Sequence, residues 1–200
     1  HPGKPVSRHA PQHRTARFDH ESFVGDCIAA LGEDDAHRAV HELVRRSVSD
    51  PSRISDAVGD CTISPMMRTW FCSDELTVLH IVWPPGVDLF AHDHNMWASI
   101  GIYGGREDNQ FFRRAVDGSI VPTRASTLRA GEAVRLGPDT VHAVANPTRE
   151  WTAAIHVYGG NFFTAERTAW RADTLQPAVL EPSAIVDTLE AAARAARSSR

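Results

Sequence analysis

Pro84-Pro85-Gly86-Val87-Asp88-Leu89-Phe90-Ala91-His92-Asp93-His94-Asn95-Met96-Trp97 is the stretch on which the reading of this chain turns. Side chains on an extended segment repeat every two residues, so His92 and His94 point to the same side. Two imidazoles on one face can grip a single metal ion, and imidazole suits Fe, Zn, Cu and Ni. A His-x-His pair alone is a weak signal, because many are surface pairs. A third histidine downstream, His142, changes its weight.

Around this stretch the period of the chain is two. Between 75 and 83, Leu76, Val78, His80 and Val82 alternate with Thr77, Leu79, Ile81 and Trp83. Both faces are fairly apolar, which predicts a strand covered on both sides, with His80 a core or interface residue. Short strands are expected near 89–94, 97–103, 110–115, 120–123, 133–136, 141–146 and 151–158. Gly104-Gly105, Asp117-Gly118, Gly131, Gly137-Pro138 and Asn146-Pro147 separate them. Many short strands at near-regular spacing predict an all-β sandwich or barrel.

Upstream the period is helical. Phe23, Val24, Cys27, Ile28 and Leu31 recur on one face of a helix over 19–31 that Asp19 caps. Glu33, Asp34 and Asp35 open a second helix with the stripe Ala36, Val40, Leu43, Val44 and Val48. Arg45 and Arg46 close it, in step with the helix dipole. Pro51 ends it, and 52–58 suits one more short turn. His37 and His41 also have metal spacing, but with no third ligand nearby they read as a solvated helix face. A last helix is expected over 182–197, with arginines at its end.

The chain has 200 residues and a net charge of −4, with no dominant basic stripe, so nucleic acid is not an expected partner. No apolar run is long enough to span a bilayer. Cys27, Cys61 and Cys72 are odd in number and form no Cys-x-x-Cys, which argues against a disulfide framework or a zinc knuckle. Each reads as a small core residue, in a reducing cytoplasm. Residues 1–17, with His1, His9 and His13, are expected to be mobile and lack the apolar centre of a secretory signal. The expected organisation is a single domain over 18–200: a helical lead-in (18–60), a β-roll (61–163) and an extension with a helix (164–200). A monomer is expected.

Gly86-x5-His92-x-His94 and Gly105, followed by Gly131, His142 and Asn146, resemble the two motifs of the cupin superfamily. Gly137 and Asp139 stand where that family has Pro and Gly in the turn. The resemblance implies a mainly β, cupin jelly-roll fold (double-stranded β-helix) with N-terminal helices and a C-terminal helix. The Glu typical of cupins should fall near Ala98 or Ser99, and neither offers a carboxylate. Three neutral histidines, His92, His94 and His142, are left as the metal set. Such a site keeps the full charge of a divalent ion and favours an anionic ligand from the substrate, for which a thiolate is the natural candidate.

A closer resemblance is to the bacterial branch of the cysteine dioxygenase family, carried by Trp83-Pro84-Pro85-Gly86, His92-Asp93-His94, Trp97, Gly105-Arg106-Glu107 and His156-Val157-Tyr158-Gly159. It implies ferrous iron, Fe(II), held by three His, and addition of both atoms of O2 to the sulfur of a small thiol, such as cysteine or 3-mercaptopropionate, to give a sulfinate. It implies that the Tyr158 hydroxyl reaches oxygen or substrate and that His156 orients Tyr158. A Ser that completes this chain in close relatives is Ala154 here. No Cys stands in Trp97-Ala98-Ser99, so Tyr158 is expected to be uncrosslinked. Arg68 is the loose match for a carboxylate-binding Arg, with a surface Arg an equal reading. Trp97 and Met96 are expected to wall the pocket or to be core. Alternatives are a diverged three-His oxygenase acting on another substrate, and a metal- or ligand-binding cupin without catalysis. The residue types alone leave Zn, Ni and Cu open as metals.

Overall fold

A computed structural model describes residues 17–63, 65–181 and 183–199. Of the segment expected to be mobile, 1–17, all but Arg17 lies outside the described residues, His1, His9 and His13 included, as does Pro182.

Three helices lead in: α1 (His20–Ala30), α2 (Ala36–Val48) and α3 (Pro51–Val58). Asp19 caps α1 by accepting from the Ser22 amide at 3.0 Å, and Asp35 caps α2 by accepting from the Arg38 amide at 2.9 Å. Phe23, Val24 and Cys27 on α1, and Val40, Val44 and Val48 on α2, are buried as the apolar stripes predict, and Ala30, outside the predicted stripe, is buried with them. Ile28 is the exception on α1 and faces out.

The strands follow: β1 (Met67–Cys72), β2 (Thr77–Trp83), β3 (Asp88–Asp93), β4 (Ala98–Gly104), β5 (Arg106–Arg114), β6 (Ile120–Arg129), β7 (Ala133–Leu136), β8 (Val141–Ala145), β9 (Thr152–Tyr158), β10 (Thr168–Trp170) and β11 (Pro177–Val179), then α4 (Ala184–Ser198). One sheet runs β1-β2-β9-β4-β7 and the other β11-β10-β3-β8-β5-β6. Within them, β2-β9-β4-β7 faces β3-β8-β5-β6, and the strand pairs are antiparallel. The chain thus passes back and forth between two sheets, which is the double-stranded β-helix, the jelly roll of the cupins. β10 and β11 were not foreseen; they are three residues each, too short to show a period.

The two faces of the first sheet serve different layers. On β9, Ala154 and Tyr158 pack between the sheets, whereas Ala153, Ile155 and Val157 meet the helices. This double coverage explains why β2 and β9 are buried along their whole length. α2 lies close against β4: a Cβ at Gly101 would sit 2.6 Å from Val44 Cγ1 and 2.7 Å from Val48 Cγ1. His37 and His41 are not a solvated face. They are half-buried and tie α2 to β4, His37 Nε2 to Ala98 O and His41 Nδ1 to Ser99 Oγ, each at 3.0 Å. His80 lies on the helix side, 2.6 Å from the Tyr103 hydroxyl. Cys27 is core, but Cys61 is half-buried and Cys72 exposed; all three are free thiols. α4 packs Ile185, Leu189 and Ala193 against the core between the sheets. No described helix is long and apolar enough to cross a membrane.

Candidate metal centre

The pairing of β3 with β8 sets His92 directly opposite His142, and His94 follows on the same face of the chain. The ring centroids form a near-equilateral triangle, 5.1 Å (His92–His94), 4.9 Å (His92–His142) and 5.0 Å (His94–His142). One nitrogen from each ring lies within 4.8 Å of the others. Between the two histidines, Asp93 points the other way and locks the strand. Its carboxylate takes the Arg114 guanidinium at 2.6 Å and the Thr168 amide at 2.8 Å.

The far sides of two rings are already engaged. His92 Nδ1 donates to Phe90 O at 3.0 Å, and His142 Nδ1 donates to Asn109 Oδ1 at 2.7 Å. Their Nε2 lone pairs therefore face inward, and His142 Nε2 stands 3.4 Å from His94 Nε2. Burial keeps all three rings neutral: it holds His92 down to about 4 and His94 and His142 well below the ordinary imidazole value. Converging neutral imidazole nitrogens, with tautomers fixed from behind in two of three cases, fit a transition-metal ion.

Across the roll, β9 presents His156 and Tyr158. His156 Nδ1 is 2.9 Å from the Tyr158 hydroxyl, and the Tyr158 ring meets His94 edge-on at 5.1 Å between centroids. Burial holds His156 down to about 3 and raises the Tyr158 phenol, so both are neutral. His156 Nε2 is buried without a partner. Ala154, two residues back on the same face, has no hydroxyl to offer it.

The space enclosed by the histidines, Tyr158 and apolar walls including Met67, Ile81, Leu89, Phe162 and Ile185 is about 10 Å³. That holds about one water. Neighbouring residues on a strand face opposite ways, so Met67 lines this space and Arg68 does not. Arg68 lies instead beside Trp70 in an outer hollow with α1 and α3 residues. Trp97 also lies outside, stacked on His37 at 4.8 Å and pressed on the Gly159 backbone, where a Cβ would fall 2.0 Å from its indole. Met96 is buried in the core close to Gly160, and does not line the space.

Two features were not read from the sequence. Arg167 is only 8% exposed, and its Nε and Nη1 have no hydrogen-bond partner. Its guanidinium sits 4.0 Å above the ring of Phe162, a wall of the site. Burial lowers its pKa, although Tyr158 and Asp93 pull the other way. No carboxylate among the described residues forms an ion pair with it. Arg167 also borders an open groove of about 840 Å³ with Asn95, Phe163, Thr168 and Val179. The second feature is a buried pair on β5 behind His142: Asn109 Nδ2 donates to Glu107 Oε1 at 2.8 Å. Burial pushes the Glu107 carboxyl up to about 7 against the pull of Asn109 and Trp83. Trp83 acts there by proximity, since neither its Nε1 nor Glu107 Oε2 makes a hydrogen bond of normal geometry.

No model of a known protein family matches the chain. Solved structures similar to it include an uncharacterized conserved protein with a double-stranded β-helix domain from Klebsiella pneumoniae (15% identity, 58% of this chain and 87% of that one, TM-score 0.44). A protein from Bacillus halodurans is similar at 18% identity over 54% of this chain and 77% of that one, with a TM-score of 0.44. An RmlC-like cupin from Shewanella frigidimarina is similar at 19% identity over 47% and 74%, with a TM-score of 0.37.

Proposed function

We propose that this protein is a non-haem iron(II) thiol dioxygenase. Its substrate is a small thiol that carries a carboxylate and no ammonium group, of the 3-mercaptopropionate kind, and its product is the sulfinate. The observation that carries the reading is a pair of charge features close together: three neutral imidazoles with no carboxylate among them, and, outside the enclosed space but within electrostatic reach of His92, His94 and Tyr158, a buried guanidinium with two unpartnered nitrogens. Bound iron(II), held by His92, His94 and His142, supplies the redox chemistry that places both atoms of O2 on sulfur.

The chain's own residues do the rest. Neutral donors leave room for an anionic sulfur ligand. Arg167 answers a carboxylate with a planar fork of donors. Tyr158 keeps its proton. A buried acceptor without a partner is tolerated more readily than a buried donor without one, so His156 carries its hydrogen on Nδ1 and gives it to the Tyr158 oxygen. The phenolic hydrogen is then free to be donated into the site. The apolar walls exclude water, and they offer an ammonium group no carboxylate, so burying one there costs several kcal/mol. With so little empty space, entry of the substrate requires the walls to shift, and Met67 is the most adaptable of them.

The test is anaerobic loading with ferrous iron, then oxygen uptake and mass spectrometry of the product. The expected order is 3-mercaptopropionate first, cysteine weaker, and cysteamine, which lacks a carboxylate, weakest. Iron-loaded protein that consumes no oxygen with any of the three overturns the reading.

A further inference from the structure

We propose that Glu107 and Asn109 are positioning residues for His142, acting as a relay that fixes which ring nitrogen of His142 faces the metal; this rests on the reading of His142 as a ligand. The three side chains are fully or almost fully buried and linked in series, Glu107 Oε1 to Asn109 Nδ2 at 2.8 Å and Asn109 Oδ1 to His142 Nδ1 at 2.7 Å. Strand geometry produces the chain of contacts. Glu107, Asn109 and Phe111 occupy successive inward positions of β5, and Phe111 pairs with His142 on β8. Asn109 is thus the diagonal neighbour of His142, within reach of its ring.

The logic is directional. Glu107 Oε1 faces Asn109 as an acceptor, in the ionised carboxylate and equally in the acid with its proton on Oε2, so Glu107 turns the amide nitrogen of Asn109 toward itself. The amide oxygen must then face His142, and an oxygen can only accept, so His142 carries its hydrogen on Nδ1. Its Nε2 is left as a lone pair aimed at His92 and His94. A flipped Asn109 would present N–H to Nδ1, force the hydrogen onto Nε2 and block the ligand position. Stability alone does not account for the acid: Glu107 Oε2 is buried without a hydrogen bond, a cost that an apolar residue would avoid.

The test compares the wild type with Glu107→Gln, which has the same shape but an end that can either donate or accept, and with Asn109→Leu. Nitrogen-15 spectra of the metal-free proteins read the His142 tautomer, and cobalt(II) titration against a chelator reads affinity. The expected result is a single Nδ1–H form in the wild type, a mixture in Glu107→Gln, and cobalt affinity lowered about 10- to 100-fold in the variant. Glu107→Gln decides the matter if Asn109→Leu does not fold. An unchanged tautomer with equal cobalt uptake overturns the relay and leaves the ligand reading intact. A changed tautomer, with no cobalt uptake by either protein, upholds the relay and overturns the ligand reading.

Discussion

Replacing Arg167 by Met separates binding from stability, because the two should move in opposite directions. In the free protein the guanidinium is buried with Nε and Nη1 unpartnered. Each such group costs about 1–3 kcal/mol. The cation–π contact with Phe162 returns about 2 kcal/mol at most. Methionine fills much of the same volume without the polar atoms, so Arg167→Met should leave folding stability equal or raise it by about 1–3 kcal/mol. For a chain of this size each kcal/mol shifts Tm by about 2–4 °C. Binding should weaken. Charge-assisted hydrogen bonds to a carboxylate are worth about 1.5–3 kcal/mol, which corresponds to about 10- to 150-fold in affinity. Oxygen uptake by iron-loaded protein should show KM for 3-mercaptopropionate rising by about that factor, with KM for cysteamine unmoved. Arg167→Lys, which keeps the charge but loses the fork, should fall between. An equal rise for both thiols, or a Tm several degrees lower, would refute the reasoning, since Arg167 would then be holding the structure and not the substrate.

Tyr158→Phe removes the hydroxyl that His156 orients and should lower kcat about 10²- to 10³-fold while iron content stays at the wild-type level; loss of iron in parallel would assign Tyr158 to metal retention. Metal-free protein should lose stability in acid. Burial holds His92 down to about 4 and His156 to about 3. Their stabilisation is fully present above the ordinary value near 6.5 and is lost as pH falls toward those values. Glu107, pushed up to about 7, works the other way and loses stabilisation as pH rises from its ordinary 4.5 through 7. Urea unfolding should therefore show stability rising from pH 4 to about 6.5 and flattening or dipping slightly above it; a monotonic fall across that range would contradict the burial of the histidines as neutral rings. Gly101→Ala would drive a methyl into Val44 and Val48 of α2. It should cost about 1–3 kcal/mol in thermal or urea unfolding, and Val44→Ala in the same chain should restore part of it.

How much could be read beforehand follows from where parity and period are visible. His92 and His94 share a face by parity alone, and a turn-bounded strand around His142 supplied the third ring. β9 was equally plain, so His156 and Tyr158 could be set side by side. Arg68 shows the weakness of the same rule: an alignment one residue out exchanges Met67, which faces the site, for its neighbour, which cannot. Glu107 and Asn109 are missed because the expected strand starts at 110, four residues late, some way beyond the turn signal Gly104-Gly105. Had it been extended back, Glu107, Asn109 and Phe111 would have stood in one inward file, with Arg106, Asp108 and Gln110 outside. Arg167 had no such signal. It precedes a three-residue strand in a stretch without period, and only the fold brings it over Phe162. His37 and His41 flank the apolar stripe of α2, where a rotation of one residue, about 100°, separates solvent from a sheet.

The charges around the site decide which ligands it can accept. A dication on three neutral imidazoles would bring two positive charges into an apolar interior, and Arg167 would add a third close by. Both buried acids of the region are engaged elsewhere: Asp93 points away from the histidines and is paired with Arg114, and Glu107 stands behind His142 on Asn109, so neither faces the space between the three rings. A ligand with one negative charge would leave either the metal or the guanidinium uncompensated in a medium where isolated charge is costly. A ligand that offers a thiolate at one end and a carboxylate at the other compensates both, and an ammonium group on the same molecule would cancel part of that gain. The same argument bears on a binding protein without catalysis. Such a protein would hold a dianionic thiol as readily, so affinity for 3-mercaptopropionate alone does not distinguish the two, whereas the free hydrogen on Tyr158 does. A passive site gains little from a polar group that must be buried and oriented by a second one. Tyr158→Phe in a binding protein should therefore leave thiol affinity within a few-fold of the wild type and have no oxygen-dependent effect. In a dioxygenase, binding should be similarly spared and turnover lost.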